Sequence, residues 1–203
     1  MNNLAYMGQE GEKVAPQVEE LLRKELAAGG PITYTVEGEG GGNVSARSVL
    51  NDVGSSLFGG KVTPVLTIHF DIPQPQSTQL DVYMMRQGLG CVAGSLAYAA
   101  VVSKRIASEV SFGDDGKFTG DADAAGKLNA RKDLLKKCDA FAMKEGGLGG
   151  FKLKIPRTLK IVPNEGGARV VAVTLPRTKS MGFSASLGSK EFLEIAALIE
   201  ATL

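Results

Sequence analysis

The chain has one histidine, two cysteines and no tryptophan among its 203 residues. Each scarcity removes a class of chemistry. Zinc centres draw on several Cys and His ligands, and this sequence has little material for one. A Ser-His or Cys-His nucleophilic pair would have to use His69, the single imidazole. Cys91 and Cys138 both sit in apolar, helix-like contexts. That predicts packed, reduced thiols and a cytoplasmic location rather than a disulfide framework, with a single bridge left open. No apolar run reaches the roughly 18 residues of a membrane span. The nearest, 88–103, stops at Lys104 and Arg105. Residues 1–13 lack the basic stretch and apolar run of a secretory leader.

What is present suits a folded domain. The 43% hydrophobic content is enough to bury a core and lies outside the disordered class. The length fits one domain over 1–203, with an acidic part at 1–126 and a basic, β-rich part at 127–203 separated by glycine-rich loops. The pattern predicts an α+β fold: a mainly antiparallel sheet, with hairpins near 61–86 and 151–175, packed against four or five helices. Val18, Leu21, Leu22 and Leu26 form the apolar stripe of a helix over 16–28 that opens on Pro16. ITYTVE at 32–37 alternates as a strand does. Residues 46–57 carry helical spacing with Ser45 as a possible N-cap. Small residues dominate 88–110, which predicts a central helix at 91–110 lying close on the sheet. A long helix is expected over 124–144 with Leu128, Leu135, Cys138 and Ala142 inward. A short strand is expected at 181–185, followed by a closing helix capped by Ser189.

Three glycine- or acid-rich stretches invite a ligand and fail on context. The loop 37–43 carries Glu37 and Glu39, which repel the phosphate that such a loop would cradle. Gly88, Gly90 and Gly94 miss the spacing of a dinucleotide fingerprint, and no second parallel strand ending in an acid follows. Residues 113–123 lack the alternate ligands and closing glutamate of a calcium loop. No cofactor is therefore expected.

One constellation has chemical content. His69 and Asp71 share a strand face because side chains repeat every two residues. A hairpin symmetric about Pro75 would set Asp81 opposite His69. A histidine between carboxylates suits a general base or part of a hard-metal site, as well as a simple hydrogen-bonded pair. These three residues are the candidate catalytic group.

The net charge of +1 hides an asymmetry. Residues 1–126 carry nine basic and fifteen acidic side chains, residues 127–179 thirteen and four, and residues 180–203 one and three. The middle block is therefore +9, which predicts a positive face for an anionic partner. Its candidate contacts are Lys127, Arg131, Lys132, Lys136, Lys137, Lys152 and Lys154. Phe141 and Phe151 are its only aromatic residues, so phosphate contact is better provided for than base stacking. The leading expectation is a non-catalytic interaction or assembly protein, a subunit of a homo- or hetero-oligomer associating through this basic face. The alternatives are nucleic-acid binding by the 127–179 face and a small-molecule enzyme built on His69, Asp71 and Asp81.

Overall fold

Strict apolar alternation through LTIHFDI and the returning QLDVY gives two strands that pair, and the rest of the sheet grows outward from this hairpin. The structure is a computed structural model that describes residues 11–27, 30–38, 41, 46–49, 63–73, 78–86, 95–142, 146–148, 151–153, 159–174 and 188–203. The chain runs α1 (Gly11–Leu26), β1 (Thr33–Glu37), β2 (Thr63–Ile72), β3 (Thr78–Arg86), β4 (Ser95–Val102), β5 (Val110–Phe112) and β6 (Phe118–Gly120). It continues through α2 (Ala122–Ala130), α3 (Lys132–Ala142), β7 (Gly146–Leu148), β8 (Phe151–Leu153), β9 (Leu159–Asn164), β10 (Gly167–Thr174) and α4 (Ser189–Thr202). Residues 46–49 are also helical. Eight strands form one antiparallel sheet in the order β1-β2-β3-β4-β10-β9-β5-β6, and β7 pairs with β8 separately. The fold is α+β, as the sequence predicts.

One face of the sheet holds the core. Leu66, Ile68, Phe70, Leu80, Val82, Tyr98, Ala100, Val170 and Ile161 project from it and pack against the four helices. The α1 stripe of Val18, Leu21, Leu22 and Leu26 is buried as expected. In α4, Phe192, Ile195 and Ile199 are fully buried, and Phe192 stacks on Tyr98 at 5.4 Å between ring centroids. Each such side chain contributes roughly 1.5–3 kcal/mol on burial. Cys138 is a free, buried thiol, and burial pushes its pKa up to about 12, as suits an inert core cysteine.

Several expectations need correction. The central segment is not a helix at 91–110: Ser95–Val102 is strand β4, hydrogen-bonded between β3 and β10. Its alanines read as helical, but both faces of a central strand are buried, so the period-two signal disappears. The second expected hairpin is present as β9–β10, joined at Glu165-Gly166, where Gly166 takes φ +84°. Phe151–Leu153 pairs instead with Gly146–Leu148. The helix predicted at 124–144 is two helices broken at Arg131, and Leu134 rather than Leu135 is the fully buried leucine. Gly188, in the left-handed region, caps α4, while Ser189 donates from both its backbone N–H and its hydroxyl to Glu25 of α1. Residues 88–94 with Cys91, residues 50–57 and residues 181–185 lie outside the described residues.

The two edges of the sheet are finished differently. At β6, Asn129 of α2 imitates a neighbouring strand: its Oδ1 accepts from the Phe118 N–H and its Nδ2 donates to the Phe118 carbonyl, both at 2.8 Å. Gly120, at φ +117°, ends this strand against the backbone of Glu109. At the far edge, β1 leaves Thr33, Thr35, Val36 and Glu37 exposed, and Val36 is the one exposed large apolar side chain among the described residues.

Candidate functional site

The second face of the sheet is also buried at its centre, and it is polar. Antiparallel register sets Thr35, His69, Asp81, Ala99 and Val171 in one row across β1, β2, β3, β4 and β10. The next row holds Glu37, Thr67, Tyr83 and Ala97. Thr67, Tyr83, Ala99 and Val171 are fully buried. The predicted symmetry about Pro75 is met, so Asp81 faces His69 directly.

Asp81 is the hub. His69 Nδ1 lies 2.8 Å from its Oδ1, and the Tyr83 hydroxyl donates to its Oδ2 at 3.3 Å. Arg169 Nη1, on β10, donates to the same Oδ2. An ionised carboxylate can only accept, so the proton of this histidine contact sits on Nδ1. Arg169 reaches over β4, about 9–10 Å from β3 by the usual strand spacing. It crosses β4 between Val101, which pairs with Arg169, and Ala99, which pairs with Asp81 and offers nothing taller than a methyl group.

On its other side His69 turns Nε2 toward Glu37 Oε2 at 3.3 Å. Burial disfavours the imidazolium, but the hydrogen bonds and charges of Asp81 and then Glu37 outweigh it and raise the His69 pKa above its ordinary 6.5. With His69 charged, two cations and two carboxylates alternate from β1 to β10. Such a chain shares protons and charge. It does not converge on a point as metal ligands do, and among the described residues no three His, Cys, Asp or Glu side chains form a metal-holding group. A general base needs an imidazole nitrogen with a free lone pair, and here both nitrogens face carboxylates. On this face two buried polar atoms, Thr67 Oγ1 and Arg169 Nε, have no hydrogen-bond partner among the described residues.

The predicted site residues divide accordingly. His69 and Asp81 are brought together, while Asp71 is one step along the strand, opposite Thr33 and Gln79, and exposed. Sequence reasoning missed Glu37, Tyr83 and Arg169. The available signal was an arginine inside the apolar run ARVVAV, since a buried cation demands a counter-charge.

Three of the predicted basic contacts are tied to the protein's own carboxylates. Lys127 pairs with Asp123 at 2.8 Å and Lys137 with Glu194 at 2.5 Å. Arg131 holds Asp133 through two nitrogens, which lowers the Asp133 pKa to about 2, and also donates to Thr202 at 3.2 Å. Lys132 and Lys136, one turn apart on α3, are exposed and have no carboxylate partner among the described residues. Lys154 and the Lys152 side chain lie outside the described residues. Among those residues no helix is long and apolar enough to cross a membrane. Comparison with family models, with curated proteins and with solved structures finds no match to this chain.

Proposed function

We propose that the protein is a non-catalytic interaction and assembly protein, a subunit of a larger homo- or hetero-oligomer. The observation that carries this reading is the unequal treatment of the two sheet edges. Proteins that stay apart blunt both edges with charge, proline, bulges or cover. Here β6 is three residues long and capped by Asn129, whereas β1 is an exposed five-residue strand with Glu37 as its single charge, no proline or bulge, and no strand beyond it among the described residues. The occupancy of both His69 nitrogens speaks against the enzyme alternative. A second route to association, through nucleic acid or an acidic protein, is favoured among the described residues by Lys132 and Lys136, because Lys127, Arg131 and Lys137 are already paired.

Sedimentation mass against salt, with and without nucleic acid, tests the proposal. Association by strand pairing persists as salt rises from low to moderate concentration. Association through the basic face weakens over the same range, because exposed charges are screened within about 8–10 Å. A shift on adding nucleic acid would favour the nucleic-acid reading. A chain that stays monomeric in every condition overturns the homo-oligomer reading.

A further inference from the structure

We propose that the outer edge of β1 pairs with the same strand of a second copy, antiparallel about a two-fold axis through Thr35, extending the sheet across the interface. This rests on the assembly reading and names its partner and register.

An added strand must match the face alternation of the strand it joins. Directly opposed side chains lie on the same face, so the sum of paired residue numbers between two identical antiparallel strands must be even when the axis is perpendicular to the sheet. The register centred on Thr35 pairs all five residues: Thr33 with Glu37, Tyr34 with Val36, and Thr35 with Thr35. Tyr34 and Val36 lie on the core face, where they pair with Phe70 and Ile68 of β2. Tyr34 is half-buried, and its ring sits 5.7 Å from that of Phe70. The pairing would set each Tyr34 against the other copy's Val36 and continue the core face, using the exposed apolar side chain that the monomer leaves in water. Aromatic and β-branched cross-strand pairs are among the favourable ones.

Charge selects the same register. Glu37 is the strand's only charged residue, and it would face Thr33. A register shifted by two residues toward the C-terminal end also avoids opposing carboxylates but leaves Thr33 and Tyr34 unpaired. A further shift of two sets Glu37 against Glu37, and like charges directly opposite are destabilising. The opposed Thr35 pair and the Thr33–Glu37 pairs keep the second face polar, as the His69–Glu37 contact already makes it. A second copy therefore satisfies the pattern along the whole strand.

Cross-linking reads the register directly. In the proposed dimer the two residue-35 Cα atoms lie about 4.5–5.5 Å apart, inside the range a disulfide spans. The two residue-33 positions lie four residues apart along the strands, about 13–14 Å. Thr35→Cys is expected to form a 35–35 disulfide under mild oxidation, identified by mass spectrometry of the joined peptides, while Thr33→Cys forms none. Val36→Lys changes an exposed position, so the chain should fold with an unchanged melting temperature at dilutions where both forms are monomeric. It should weaken the dimer at least tenfold, read as a shift from two chains to one in sedimentation. If the wild type assembles but 35–35 linkage fails, or 33–33 linkage equals it, or folded Val36→Lys assembles like wild type, the β1 pairing is wrong while assembly stands. If the wild type stays monomeric, the β1 self-pairing and the homo-oligomer reading fall together.

Discussion

Removing the hub of the polar network is the sharpest test of how the sheet is held. Asp81→Ala leaves Arg169 at 9% exposure with no remaining hydrogen-bond partner among the described residues. Breaking a buried ion pair from one side costs about 3–5 kcal/mol, because the surviving charge is stranded. That is a large share of the roughly 5–15 kcal/mol that holds a typical domain together. With a urea slope of about 2 kcal/mol/M, the unfolding midpoint should fall by about 1.5–2.5 M. Arg169→Met should cost less, since Asp81 would keep His69 and Tyr83. Asp81→Leu combined with Arg169→Met should recover at least half of the Asp81→Ala loss, because no charge is then stranded. The assay is urea unfolding of all the variants at one pH, with the slope checked for constancy. Small single losses that add to within about 0.5 kcal/mol would refute the reasoning, since contacting residues should be coupled.

Two further predictions follow from the same coordinates of chemistry. His69 has a folded pKa raised above its ordinary 6.5, so its contribution to stability is fully present below that value and is lost as pH rises through the folded pKa. Wild type should therefore lose urea midpoint relative to His69→Gln as pH rises above 6.5, and parallel pH profiles would contradict this. Gly120→Ala should destabilise by roughly 1–3 kcal/mol, because φ is +117° and a β-carbon would press on the Glu109 carbonyl; an unchanged thermal midpoint would show that this turn relaxes freely.

Local periodicity explains what was legible beforehand. The α1 stripe and the closing helix each bury one face, and β2 alternates core-face Leu66, Ile68 and Phe70 with Thr67, His69 and Asp71, so their apolar residues repeat at a period the sequence displays, while the β9–β10 hairpin is marked by its turn at Glu165-Gly166. The His69–Asp81 contact was legible for the same reason, because a short hairpin fixes its own register. The Arg131 break was not: the apolar residues continue at helical spacing through it, while Arg131 leaves helical geometry at φ −91° and ψ 89°, bonding locally to Leu128 and Asp133 and, across 71 residues, to Thr202.

By itself the sequence determined the element types wherever one face meets water, the α+β class and the two-residue rhythm that puts His69 with Asp81. Only the tertiary structure decided that Ser95–Val102 is a strand. Alanine favours a helix, but the backbone groups of this segment bond to β3 and β10 on both sides, and those partners come from 80–85 and 168–174. The same non-local pairing brings Arg169 to Asp81 across 88 residues. It also decides which strand ends the sheet, and so which backbone edge is left open: an edge is defined by the neighbour it lacks, and no local pattern encodes that.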